Sequence, residues 1–187
     1  MAFICFMTIM DNTHIMFIGI MASFLHEIGH VLAMLYEKKD IKEIKVGLFN
    51  IDILDDSRSR YDYRTDLTIL FSGPLMNIVV YFLCVSINIV ARSYIIEVMG
   101  YENLFIGLIN LLPIMPLDGG QILFVILSKR VCSETCERVT QIVSFLTLLP
   151  LALVGFIILL ESKYNFSLLF LCFYLMTYLL FKNDPFY

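Results

Sequence analysis

Runs of apolar residues long enough to cross a lipid bilayer limit what this chain can fold into more than any other feature. Crossing the hydrocarbon as a helix takes about 20 residues. Ile15 to Tyr36 supplies such a run, broken only by His26, Glu27 and His30, and it stops at the water-facing Glu37-Lys38-Lys39-Asp40. Residues 65 to 91 form another, with Gly73-Pro74 and Asn77 inside it. Residues 103 to 128 form a third, interrupted by Asn110, Pro113, Pro116, Asp118, Gly119 and Gly120. Thr140 to Leu160, with Pro150 near its middle, and residues from about 166 to 181 follow, both without chemical side chains. Ala2 to Met10 is too short to span alone and reads as a half-span closed by the turn Asp11-Asn12-Thr13-His14. In hydrocarbon every backbone polar group needs a partner within the protein, so broken backbone at membrane depth implies a lined cavity. The expectation is an all-α polytopic membrane protein of about five to six transmembrane segments.

Composition agrees with spans and excludes a soluble core. Only 16% of residues are charged and mean hydropathy is +0.84, whereas soluble domains carry about 25% charge. No Lys/Arg-rich run suggests nucleic-acid binding, and none is expected. Met1 to Met10 lacks a basic start and a small-residue cleavage site, so it does not read as a signal peptide. The chain reads as a single integral membrane domain over residues 1–187, without internal repeats.

Basic residues set the orientation. If the first long run exits at Lys38, the loop 37 to 64, the loop 129 to 138 and the C-terminus share one side. That side holds eleven of the thirteen Lys and Arg, leaving only Arg92 and Lys163 opposite. Lys and Arg concentrate in cytoplasmic loops, so that face and the C-terminus are expected to be cytoplasmic.

Between the first two long runs, Ile41 to Leu54 alternates apolar and polar residues, as strands do. A short membrane-associated β-hairpin, bent near Gly47 or Asn50, is expected there, either presenting an edge strand to an extended peptide or as an ordinary surface hairpin. Cys132 and Cys136 form a C-x-x-x-C pair with no second Cys or His group nearby, and read as two free thiols near a loop.

His26-Glu27-Ile28-Gly29-His30 is an H-E-x-x-H sequence. On a helix it puts two imidazoles one turn apart on one face, where they can grip one Zn2+ ion, with Glu27 beside them as a general base for metal-activated water. Ionisable groups within an apolar span are costly and mark function. A catalytic zinc needs a third protein ligand, and Asp118 is the candidate, a carboxylate deep within an apolar run. His26 lies about ten residues, roughly 15 Å, from the boundary at Tyr36, and Asp118 lies about ten from the boundary near Ser128, so both fall at similar depth on the same side. Asn77 falls at that depth too. Its amide can stabilise the oxyanion of a tetrahedral intermediate or hold an extended substrate, or it can simply bond to a neighbouring helix.

Three motifs together resemble one family: His26-Glu27-Ile28-Gly29-His30, then Ser72-Gly73-Pro74-Leu75-Met76-Asn77, then Asn110-Leu111-Leu112-Pro113-Ile114-Met115-Pro116-Leu117-Asp118-Gly119-Gly120. They are similar to the site-2 protease family of intramembrane metalloproteases, and the long third motif is similar to bacterial members of the sporulation factor IVFB type. The resemblance implies zinc held by His26, His30 and Asp118, Glu27 as the general base, and a bacterial cytoplasmic-type membrane. It also implies a membrane-associated substrate such as a transcription-factor precursor, with any regulators being other membrane proteins. Neither a PDZ-like insertion nor a nucleotide-sensing regulatory domain is expected. A metal transporter or sensor using the same ligands is the competing class, but such a transit site has no use for the carboxylate of Glu27, and transporters usually show paired repeats.

Overall fold

The structure is a computed structural model of the chain and describes residues 13–37, 43–46, 51–54, 63–162 and 167–181. It contains helix α1 (Thr13–Tyr36), strands β1 (Glu43–Val46) and β2 (Ile51–Leu54), then α2 (Tyr63–Ala91), α3 (Tyr94–Asn110), α4 (Asp118–Ser128), α5 (Ser133–Ser162) and α6 (Ser167–Phe181). The expected half-span Ala2 to Met10 lies outside the described residues. β1 and β2 pair antiparallel, with Glu43 opposite Leu54 and Val46 opposite Ile51.

Three helices are long and apolar enough to cross a membrane: Phe17–Tyr36, Tyr63–Ala91 and Ser133–Ile157. The helices at Asp118–Ser128 and Leu168–Leu180 are apolar but shorter. Among the described residues these are the long candidate spans, beside the two shorter apolar helices. The sequence reading is corrected at residues 103 to 128. This run is not one span: α3 begins at Tyr94 and ends at Asn110, and a new helix starts at Asp118. Proline explains the gap. Pro113 and Pro116 offer no N–H to a helix and push the residues before them out of the α region. Pro74 and Pro150, by contrast, lie inside α2 and α5, which continue through them.

Large apolar side chains face outward, and polar groups are buried alongside the apolar core. Phe82 is 62% exposed, Leu146 65% and Leu149 66%, whereas Ser23, His26, Asn77, Asn103, Thr140 and Ser144 are buried. Apolar side chains outside and polar groups gathered inside are what a hydrocarbon solvent selects.

The chain divides into two compact units, residues 1–109 and 110–187. In the first, α1 and α2 pack closely through small residues. A Cβ on Gly29 would stand 2.6 Å from the Ser72 carbonyl oxygen and 2.8 Å from Met76 Cβ, so only glycine admits this approach. α3 meets α2 at Gly107, where a Cβ would lie 3.2 Å from that of Asn77. The α2–α3 turn is closed by the Ser93 N–H donating to Asn88 Oδ1 at 2.7 Å.

In the second unit, Cys136 of α5 donates its thiol to the Phe124 carbonyl of α4 at 3.3 Å, and both Cys132 and Cys136 are free thiols. α6 buries Leu168, Leu171, Cys172, Leu175 and Leu179, a stripe at helical spacing.

Candidate metal centre

α1 places His26 and His30 one turn apart, as the motif requires, with their Nε2 atoms 3.2 Å from each other and the rings edge to face. The other ring nitrogens identify what these atoms can do. His30 Nδ1 lies 2.8 Å from the Ile69 carbonyl oxygen. A carbonyl only accepts, so Nδ1 carries the proton and Nε2 of a neutral ring is bare.

His26 Nδ1 lies 3.1 Å from Asn77 Oδ1. The orientation of the Asn77 amide follows from its other contacts, because Nδ2 donates to the Ala22 carbonyl at 3.3 Å and to Asn103 Oδ1 at 3.4 Å. Asn103 is oriented in turn by donating its own Nδ2 to the Met99 carbonyl at 2.8 Å. With Oδ1 facing His26, Nδ1 again must hold the proton and Nε2 is bare. Two unprotonated nitrogens 3.2 Å apart repel unless a proton or a metal cation is shared between them. Tetrahedral zinc with Zn–N bonds of about 2.0–2.1 Å sets its nitrogens about 3.3 Å apart. The pair therefore fits a zinc ion, and each ring is oriented through its second nitrogen, as metal-bound histidines usually are.

Gly73 forms one wall. A Cβ there would overlap His30 Nε2, and would stand 2.6 Å from His30 Cε1 and 2.8 Å from His26 Nε2. Pro74, the next residue, has no N–H to offer the carbonyl of Leu70. One residue earlier along that turn, the Ile69 carbonyl accepts from both His30 and the Ser72 hydroxyl. Ser72-Gly73-Pro74 thus supplies the backbone acceptor and the open space that the two imidazoles need.

Of the two readings open for Asn77, its contacts are those of an amide bonded to neighbouring helices. It is fully buried, and both of its amide hydrogens are directed at protein acceptors. Neither is free for an oxyanion, so the contact it makes toward chemistry is the acceptor it offers to His26. Glu27 follows His26 on α1 and is half-buried.

In the second unit, Asp118 is the first residue of α4, preceded by Leu117 in extended conformation. It is half-buried as a residue, with its Oδ2 atom buried. The preceding loop, which includes a cis Met115–Pro116 peptide, is tied down at several points. Leu117 N–H bonds to the Ile114 carbonyl at 2.8 Å, and Gln121 Nε2 to the Pro116 carbonyl at 3.1 Å. Ser144 of α5 accepts from the Met115 N–H at 3.1 Å while its own hydroxyl lies 2.7 Å from the Thr140 carbonyl. Gly120 lets the first turn of α4 lie against this loop, since a Cβ there would stand 2.6 Å from the Ile114 carbonyl carbon.

Sequence reasoning named His26, Glu27, His30, Asn77 and Asp118 as candidates, but not the Ile69 carbonyl, Asn103 or Ser144. A buried polar residue within an apolar helix was the signal available for the last two.

A helical, apolar chain with two imidazoles paired inside a membrane-length helix has the features expected of an intramembrane metalloprotein. Comparison with known proteins carries this further. Residues 87–151 match peptidase family M50. Stage IV sporulation protein FB of Bacillus subtilis is 26% identical over 117 residues, covering 61% of this chain and 40% of that protein. Zinc metalloprotease MJ0392 of Methanocaldococcus jannaschii is 31% identical over 137 residues, covering 66% and 38% respectively. The solved site-2 protease from M. jannaschii shares the fold, with a TM-score of 0.69 at 22% identity over 95% of this chain and 82% of that one. The chain is thus similar to peptidase family M50 over residues 87–151 and to the two curated relatives over longer stretches, and it shares the site-2 protease fold. It spans about two fifths of the length of the first two relatives, at 40% and 38%.

Proposed function

We propose that this chain is an intramembrane zinc metalloendopeptidase that hydrolyses a peptide bond of a membrane-associated protein. The observation that carries this reading is the pair of bare Nε2 atoms 3.2 Å apart, each fixed by a protonated Nδ1, within a membrane-length helix. Zinc is the metal implied by the M50 match and the zinc metalloprotease relative.

His26, His30 and Asp118 together have the donor chemistry of a catalytic zinc site, two imidazoles and a carboxylate. When bound, zinc would polarise the scissile carbonyl and lower the pKa of water toward neutrality. Glu27 takes the water's proton and hands it to the leaving amine. His26 and His30 keep their Nδ1 protons on Asn77 and Ile69, so their Nε2 atoms remain available as ligands. The apolar exterior admits substrate from the bilayer, and the β1–β2 hairpin is a candidate edge for holding it extended.

Residues 1–187 act in this reading as one catalytic domain, in a multi-pass arrangement with the C-terminus in the cytoplasm. The basic residues, eleven against two, support that orientation. Glu27 also supports hydrolysis over metal transport, for which a proton acceptor beside the ligand has no use.

Co-expression with membrane-tethered precursor proteins tests the proposal. Wild type is expected to cleave a precursor that Glu27→Gln leaves intact while still retaining zinc. Undiminished cleavage by Glu27→Gln would overturn the protease reading.

A further inference from the structure

We propose that Asn103, on α3, is a positioning residue for the metal centre, acting on His26 through Asn77. This rests on the reading of His26 as a zinc ligand. Asn103 is fully buried and lies 26 residues from Asn77 in sequence, on a different helix. Its Nδ2 is committed to the Met99 carbonyl of its own helix, one turn back, at 2.8 Å. That bond turns Oδ1 toward Asn77, where it accepts from Nδ2 at 3.4 Å.

An amide can be reversed at little steric cost, and reversal of Asn77 would point its N–H group at His26. His26 Nδ1 would then have to accept, the proton would move to Nε2, and the nitrogen facing His30 would cease to be a ligand. Two acceptors oppose that reversal, the Ala22 carbonyl at 3.3 Å and Asn103 Oδ1. Neither can donate to an Asn77 oxygen turned toward it. Asn103 Oδ1 thus adds to the preference for one amide orientation, hence for the His26 tautomer that leaves Nε2 bare. The chain of contacts runs from the Met99 carbonyl through Asn103 and Asn77 to His26 and crosses three helices, so α3 takes part in setting a ligand it does not carry.

Residues behind metal ligands typically change affinity by about 10–100-fold when removed. The test is zinc affinity of the full chain purified in detergent, measured by competition with a chromophoric chelator. Thermal unfolding of the zinc-free form is measured alongside. Asn77→Leu is expected to weaken zinc binding by about 10–100-fold, and Asn103→Leu by a smaller factor of several-fold or more. The double variant is expected to be no weaker than Asn77→Leu alone, because Asn103 has nothing to act through once Asn77 is gone. Asn103→Asp keeps an acceptor at the same place and should recover most of the affinity lost in Asn103→Leu, which a merely space-filling role would not predict.

Unchanged affinity in Asn103→Leu, or losses that simply multiply in the double variant, would overturn the inference. Wild type that fails to bind zinc, or binds it equally well after His26→Ala, would instead overturn the assignment of His26 as a ligand.

Discussion

Gly73 lies so close against His30 that a side chain on it would overlap His30 Nε2, and its Cβ would also stand 2.8 Å from His26 Nε2. In the proposed zinc site both nitrogens reach one ion from a single helix face, and the neighbouring helix runs past them at backbone distance.

Gly73→Ala is therefore expected to cost metal binding. Rings displaced from a matched pair lose affinity, by about tenfold or more if the loss resembles that of other perturbed supporting groups. Gly155→Ala is the control, since its Cβ would meet Leu168 at an ordinary 3.4 Å. Zinc content after dialysis against a weak chelator distinguishes the two. Equal retention in both variants would show that the His26–His30 pair tolerates a methyl group there.

Metal removal should destabilise the protein. Without a cation the facing Nε2 atoms of His26 and His30 repel at 3.2 Å, and one ring must take a proton or turn away. A ligand that binds only the folded form at about 100 times its Kd stabilises it by about 2.7 kcal/mol. Thermal unfolding in detergent is expected to shift upward on adding zinc to stripped protein, and not in His26→Ala. A zinc-dependent shift persisting in that variant would place the ion elsewhere.

How much of this was legible in the sequence depended on what kind of group carried the information. His26, Glu27 and His30 were readable because helical spacing alone brings them together. The long runs ending at Tyr36 and Ala91 matched α1 and α2 because charge and polarity mark where an apolar helix stops. α3 was misplaced because Glu97 and Glu102, with Tyr94 and Tyr101, lower its hydropathy before Asn103, so the run seemed to begin nine residues late. The Ile69 carbonyl is backbone and has no letter of its own. Asn77 was visible as a polar residue in an apolar run, but which of its two amide atoms faces His26 is decided by Ala22 and Asn103, from two other helices. Ser144 was hidden because serine inside an apolar helix usually just bonds to its own preceding turn.

Orientation is open to a direct test. In the expected topology eleven basic residues, against two, share a side with the loop 37 to 64 and the C-terminus. Fusions after Phe181 and within residues 55–60 should both report as cytoplasmic, active with a cytosolic reporter and silent with one that works only after export. Export-type activity at either position would reverse the topology.

Ser144 is expected to matter more than its small side chain suggests. Its hydroxyl stands between two helical positions and a loop, accepting from the Met115 N–H while lying within bonding distance of the Thr140 and Pro113 carbonyls. Ser144 is fully buried and Met115 only 6% exposed, so Ser144→Ala leaves a donor that water cannot easily reach. An orphaned buried donor costs about 1–3 kcal/mol. Ser86→Ala, which removes an exposed hydroxyl bonded only to its own helix at Phe82, should stay within about 0.5 kcal/mol. The loop held by Ser144 leads within three residues to Asp118 at the start of α4, so loosening it frees the proposed third ligand as well. Ser144→Ala is thus expected to lower the unfolding temperature relative to Ser86→Ala and to release zinc faster. A variant that unfolds at the wild-type temperature and holds zinc as long would show that the Met115 N–H finds another partner and that the loop does not depend on α5.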